Sequence, residues 1–125
     1  MLSISRYRSR REILVVEDDP DLREAIRYVL LTEGYQVKTA VHGEEALAEL
    51  RTGKKPCMMI LDLMMPVMDG WAVLRELRTD HALPDVSVVV TSANPSGDLH
   101  DVTSVLKKPY DVDRLLQIVH QHCDP

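Results

Sequence analysis

The sequence predicts an α/β protein, a parallel sheet with helices on both faces. Three observations lead there. Short continuous apolar runs alternate with segments whose apolar residues recur at helical spacing. Those runs lack the polar alternation of a half-wet sheet, so they suit strands covered on both sides. Four of the five predicted strands are followed at once by polar groups of related chemistry.

The elements follow in order. Ile13 to Val16 is the first continuous run. Asp19-Pro20 reads as a helix N-cap with proline at the first helical position. Leu22, Ala25, Ile26, Val29 and Leu30 then share one helix face, and Gly34 ends that helix. Tyr35 to Ala40 alternates, as an edge strand with one wetter face does. Residues 43–52 carry Ala46, Leu47 and Leu50 on one side and Glu44, Glu45 and Glu49 around the other. Cys57 to Leu61 is a second continuous strand, and residues 70–78, with Val73, Leu74 and Leu77, form the next helix. Val86 to Val90 is the fourth strand and Val105-Leu106 belongs to a fifth. Val112, Leu115, Leu116 and Val119 mark the last helix.

A length of 125 residues suits one domain, which buries roughly two-thirds of the surface its unfolded chain exposes. The expected division is a basic N-terminal arm at 1–11, the domain at 12–122 and a tail at 123–125. With 45% hydrophobic and 28% charged residues the composition is that of an ordinary globular protein. No apolar run approaches the roughly 20 residues of a membrane span, and the N-terminus has no apolar core for a secretory signal. Cys57 and Cys123 are too few for a disulfide framework, so a reduced cytosolic compartment is expected. Arg6, Arg8, Arg10 and Arg11 precede the first acidic residue, and taking those four charges from the net −5 leaves −9 on the rest. Such an acidic body gives no reason to expect nucleic-acid binding.

In sheets of this kind ligands bind beyond the carboxyl ends of the strands. Glu17, Asp18 and Asp19 follow the first strand, Asp62 the third, Thr91 the fourth, and Lys107 and Lys108 the fifth. Clustered carboxylates repel one another, so protons or a cation must compensate them. Oxygen ligands suit Mg²⁺, which keeps several waters for a phosphoryl group to displace. A carboxylate nucleophile, a metal, an ammonium and a hydroxyl together make an aspartyl-phosphate site. Taken singly the features are ordinary: Asp19 is a cap, threonine a turn residue, Lys-Lys-Pro a solvated loop. The joint placement favours the site, without separating the acidic neighbours or the two lysines.

The segments Ile13-Leu14-Val15-Val16-Glu17-Asp18-Asp19-Pro20, His42-Gly43-Glu44-Glu45-Ala46-Leu47, Asp62-Leu63-Met64-Met65-Pro66-Val67-Met68-Asp69-Gly70, Thr91-Ser92-Ala93 and Lys108-Pro109 resemble the receiver domain of two-component response regulators across residues 12–122. The resemblance implies a flavodoxin-like, doubly wound five-stranded sheet of order 2-1-3-4-5. It implies that Asp62 is the phosphoacceptor, served by a histidine kinase or histidine phosphotransfer protein. Asp18 matches the direct metal ligand with Asp62, Glu17 helps through water, and Met64 adds its backbone carbonyl. The implied cofactor is Mg²⁺, for which Mn²⁺ can substitute. Thr91 matches the switch hydroxyl and Lys108 the phosphate-binding lysine, while Asp19 and Lys107 match no required position.

Two departures concern the output. The aromatic switch position, three before the lysine, is Val105. The stretch from Thr91 to Lys108 is short by a little over one helical turn, and Asn94-Pro95-Ser96-Gly97-Asp98 is turn-forming, so the fourth helix of the family is expected to be shortened or replaced by a loop. The implied function is a phosphorylation-controlled switch whose surface near strands four and five responds, acting on a downstream partner that the sequence does not name. No output segment follows residue 122, so the chain is expected to act alone or to belong to a larger protein such as a hybrid kinase. Two other readings stand beside it. One is a phosphate-independent binding module. The other is a Mg²⁺-dependent aspartyl-phosphate phosphatase, disfavoured because the second aspartate of such enzymes would fall at Met64. The histidines His42, His81, His100, His120 and His122 form no ligand set, and surface exposure is expected for His120 and His122. Trp71 is expected to pack in the core.

Overall fold

A computed structural model describes residues 11–123; residues 1–10 of the predicted arm at 1–11, and residues 124–125 of the tail, lie outside the described residues. The strands are β1 (Glu12–Val16), β2 (Gln36–Ala40), β3 (Met58–Asp62), β4 (Val88–Ser92) and β5 (Ser104–Lys107). The helices are α1 (Pro20–Thr32), α2 (Gly43–Thr52), α3 (Gly70–Thr79) and α4 (Val112–Cys123). The sheet order is β2-β1-β3-β4-β5, and every pair is parallel.

Strand alternation divides the core in two. Leu14, Val16, Met59, Leu61, Val88 and Val90 face Ala46, Leu47 and Leu50 of α2 and Val73 and Leu74 of α3. Ile13, Val15, Met58, Ile60 and Val89 face Ile26 and Leu30 of α1 and Leu115, Ile118 and Val119 of α4. All five residues of β3 and of β4 are buried, whereas β2 alternates as an edge strand should.

The helix starts agree with the chemistry of their first residues. The Asp19 carboxylate accepts from the N–H groups of Asp21 and Leu22, with Pro20 at the first helical position. His42 Nδ1 accepts from Glu45 N–H while Glu45 accepts from Val41 N–H, a reciprocal cap. Asp69 caps α3 through Ala72 N–H. Gly34, at φ 95°, turns the chain out of α1 in the left-handed region that glycine tolerates.

Four features differ from the expectations or decide between them; replacement of the fourth helix by a loop is one of the two outcomes expected there. β4 begins two residues later and reaches Ser92, so Thr91 lies inside the strand, paired with Asp62, rather than past its end. The fourth helix is wholly replaced: residues 93–103 form a loop. Pro95 and Gly97, the latter at φ 83°, oppose a helix there. Leu99 and Val102 pack on the α2/α3 side of the core. Trp71 Nε1 donates to the Ser96 carbonyl (2.9 Å), and Arg78 Nη2 donates to the Asp98 carbonyl (2.7 Å) and Asp101 Oδ1 (2.6 Å).

The third difference is a disulfide. Cys57 lies just before β3 and is bonded to Cys123, the last residue of α4, which had been assigned to the tail. The last turn of α4 packs over the amino end of β3, a neighbourhood that cysteine counting cannot reveal. The fourth is His120, which is half-buried between the Tyr35 hydroxyl (2.8 Å) and Glu33 Oε1 (2.9 Å), whereas His122 is exposed as expected. Among the described residues no helix is long and apolar enough to cross a membrane.

Candidate functional site

Strand register assembles the site. β1 and β3 pair Val16 with Leu61, so the next residues, Glu17 and Asp62, emerge side by side. β3 and β4 pair Asp62 with Thr91, and β4 and β5 pair Ser92 with Lys107, which brings Lys108 out at the same edge. Lys108 Nζ donates to Glu17 Oε1 (2.8 Å) and lies 3.4 Å from Asp62 Oδ2. Met64 N–H donates to Asp62 Oδ1 (3.2 Å). Glu17, Asp62 and Thr91 are 2%, 3% and 2% exposed, while Asp18 faces solvent.

The surrounding loops are built for close approach. Arg23 Nη1 donates to the Glu17 carbonyl (2.9 Å), and Asp19 N–H donates to Glu17 Oε2 (3.2 Å). A Cβ on Gly70 would sit 2.6 Å from the Asp62 carbonyl oxygen, so only glycine lets the start of α3 rest against the end of β3. Gly70 N–H also donates to the Leu63 carbonyl (2.9 Å). Between them Val67 has φ 66°, and Met68 N–H donates to the Pro66 carbonyl (2.7 Å), forming a tight γ-turn. A β-branched residue is strained in that region, and here the strain sits beside the site.

Electrostatics fit the geometry. Burial, and then the charge of Glu17, push the Asp62 carboxyl up to about 7, against the opposing pull of Lys108 and Met64 N–H. Burial alone would lower Lys108, but its hydrogen bond to Glu17 and the charges of Glu17 and Asp62 leave it above its usual value. Ligand oxygens of Glu17, Asp18 and Asp62 all lie within 4.8 Å of one another. Three carboxylates facing one ammonium form an oxygen donor set with a deficit of positive charge, which a hard divalent cation fits.

The residues singled out in the sequence are therefore found together: Glu17, Asp18, Asp62, Thr91 and Lys108, with the Met64 backbone beside Asp62. Lys107 is exposed, and Asp19 acts as a cap. Val105 is 39% exposed on β5. Trp71 packs partly against the core and also holds the 93–103 loop. Tyr110 was missed. Its hydroxyl is buried with no hydrogen-bond partner among the described residues. Burial, then the charges of Glu17 and Asp62, push it up to about 12. The aromatic residue directly after Lys108-Pro109 was the available signal.

Residues 13–120 match the response regulator receiver domain family. An uncharacterized 14.6 kDa protein encoded in the sodA1 3′ region of Leptolyngbya boryana is 32% identical over 121 residues, covering 92% of each chain. The sensor histidine kinase TmoS of Ectopseudomonas mendocina is 38% identical over 109 residues, which are 82% of this chain but 11% of that protein. Among solved structures, the response regulator TrrA of Thermotoga maritima in complex with Mg²⁺ and BeF superposes with a TM-score of 0.77 at 32% identity, covering 89% of this chain and 97% of that one. The chain belongs to the response regulator receiver domains, the phosphoacceptor modules of two-component signalling.

Proposed function

We propose that Asp62 accepts the phosphoryl group, from a histidine kinase or a histidine phosphotransfer protein. The observation that carries this reading is the burial of Asp62 between Glu17, Thr91 and Lys108, with Lys108 Nζ 3.4 Å from its carboxylate. Asp18 and Asp62, with the Met64 carbonyl, would hold Mg²⁺ (or Mn²⁺), and Glu17 would act through water. The ion would supply charge neutralisation as the phosphoryl group arrives.

The chain's own groups do the rest. Asp62 presents an oxygen to phosphorus, Lys108 exchanges a carboxylate for a phosphoryl oxygen, and Thr91 donates its hydroxyl to the same group. Movement of Thr91 and Lys108 would bias the surface near β4 and β5, the expected output face for an as yet undefined partner. Cytoplasmic residence follows from the expected donor. A second reading, docking that ignores phosphate, is favoured by Val105 and the fastened 93–103 loop. Partner affinity unchanged by beryllofluoride would support it.

Incubation with Mg²⁺ and a small phosphodonor should add one phosphoryl group by intact mass, and Asp62→Asn should abolish the addition. Full labelling of Asp62→Asn would overturn the assignment.

A further inference from the structure

We propose that Cys57 and Cys123 are a reversible thiol–disulfide pair, a redox modification site that responds to a small-molecule disulfide and fixes α4 to the sheet when oxidised. The two residues are 66 apart in sequence, yet their Cα atoms lie 5.7 Å apart and their sulfurs are bonded. That Cα spacing is ordinary for a disulfide.

Both cysteines are held in place by contacts other than the bond. Cys57 N–H donates to the Glu12 carbonyl (2.9 Å), extending the β1–β3 ladder by one residue. Cys123 ends a helix anchored by Leu115, Ile118 and Val119 against the core. Reduction therefore leaves the two sulfurs facing each other, ready to pair again. Both belong to the same apolar cluster, so the pair is set into the fold rather than hung on a loop tip.

Exposure assigns the roles. Cys123 is 1% exposed, whereas Cys57 is only partly buried. Cys57 is thus the sulfur that an external reagent reaches, and Cys123 the one that resolves the adduct.

The oxidation balances as thiol–disulfide exchange. The Cys57 thiolate attacks one sulfur of a small disulfide RSSR, whose S–S bond breaks and releases RS⁻. The Cys123 thiolate then attacks Cys57 Sγ, forming the intramolecular bond and expelling the second RS⁻. The protein loses two electrons and two protons, and RSSR becomes two RSH. Two equivalents of thiol reverse the sequence.

The site is distinct from the phosphoacceptor. Cys57 precedes Met58 at the amino end of β3, and Asp62 closes the other end, about 17 Å away at the rise of a strand. Oxidation at one end would tether the last turn of α4. Reduction would leave that turn held by its apolar face alone.

The test uses the intact chain in buffers of graded reduced and oxidised glutathione, followed by acid quench, alkylation of free thiols and intact mass. A single transition between a two-thiol form and a form two hydrogens lighter is expected. Cys123→Ala should trap glutathione on Cys57, and Cys57→Ala should trap far less on Cys123. Backbone amides of α4 should exchange roughly tenfold faster in the reduced wild-type protein, as a released helix end allows. One fixed thiol state across every buffer, or equal α4 exchange in the two forms, would overturn the proposal. Neither wild-type measurement depends on the variants folding.

Discussion

Asp62 brings a carboxylate out of water, and its proton affinity records the cost. In the unfolded chain such a group titrates near 3.8, and in the folded chain near 7. Between those values the folded state keeps a proton that the unfolded state releases, so stability falls as pH rises from about 4 to about 7. Asp62→Asn removes the charge and keeps the shape. The variant is expected to exceed wild type in metal-free stability at pH 8 by about 2–4 kcal/mol, a gap that closes toward pH 4 and narrows at pH 8 when Mg²⁺ is added. Urea melts at both pH values check this, and a gap independent of pH would show that Asp62 is not strained by its charge. That some acidic residue after the first strand mattered was legible, because strand ends are visible as the limits of apolar runs. Which neighbour turns inward was not. Glu17 is buried and Asp18 exposed because of the turn leading to Asp19, and Lys108 rather than Lys107 is drawn in by Glu17, 91 residues earlier.

The helices were legible where local chemistry sets their limits, as at the Asp19-Pro20 cap and at Gly34. The loop that replaces the fourth helix was foreshadowed by Pro95 and Gly97, whose backbone preferences act locally. Its fastening was not, because the partners are Trp71 and Arg78 on α3, 20 to 25 residues back. Arg78 holds Asp101 through Nε (2.8 Å) and Nη2 (2.6 Å), a two-pronged bond of the kind that outlasts ordinary surface pairs. Arg78→Ala is expected to cost about 1 kcal/mol in urea melts. It should also speed amide exchange across residues 96–103 while leaving phosphodonor labelling at Asp62 intact. Unchanged exchange in that segment would mean that the apolar contacts of Leu99 and Val102 hold the loop unaided.

For the whole molecule, periodicity alone predicted a parallel sheet with helices on both faces, whereas the strand order came with the family resemblance. The disulfide escaped both, since it depends on where α4 ends over β3. The helix-free connection between β4 and β5 has a further consequence, for assembly. Parallel strands cannot zip from a hairpin, so each pairing must first close an intervening stretch of chain. That stretch is residues 17–35 for β1–β2 and 63–87 for β3–β4, but only 93–103 for β4–β5. Each doubling of a closed loop costs about 0.6 kcal/mol of chain entropy, and non-local pairing slows folding accordingly. β4 and β5 should therefore meet early. In stopped-flow refolding, Val89→Ala and Leu106→Ala should slow folding in proportion to the stability they remove, and Val37→Ala on the far edge should chiefly hasten unfolding. The reverse ranking would put the nucleus at the β1–β2 edge. By shortening this connection, the loss of one helix biases where the sheet begins to form.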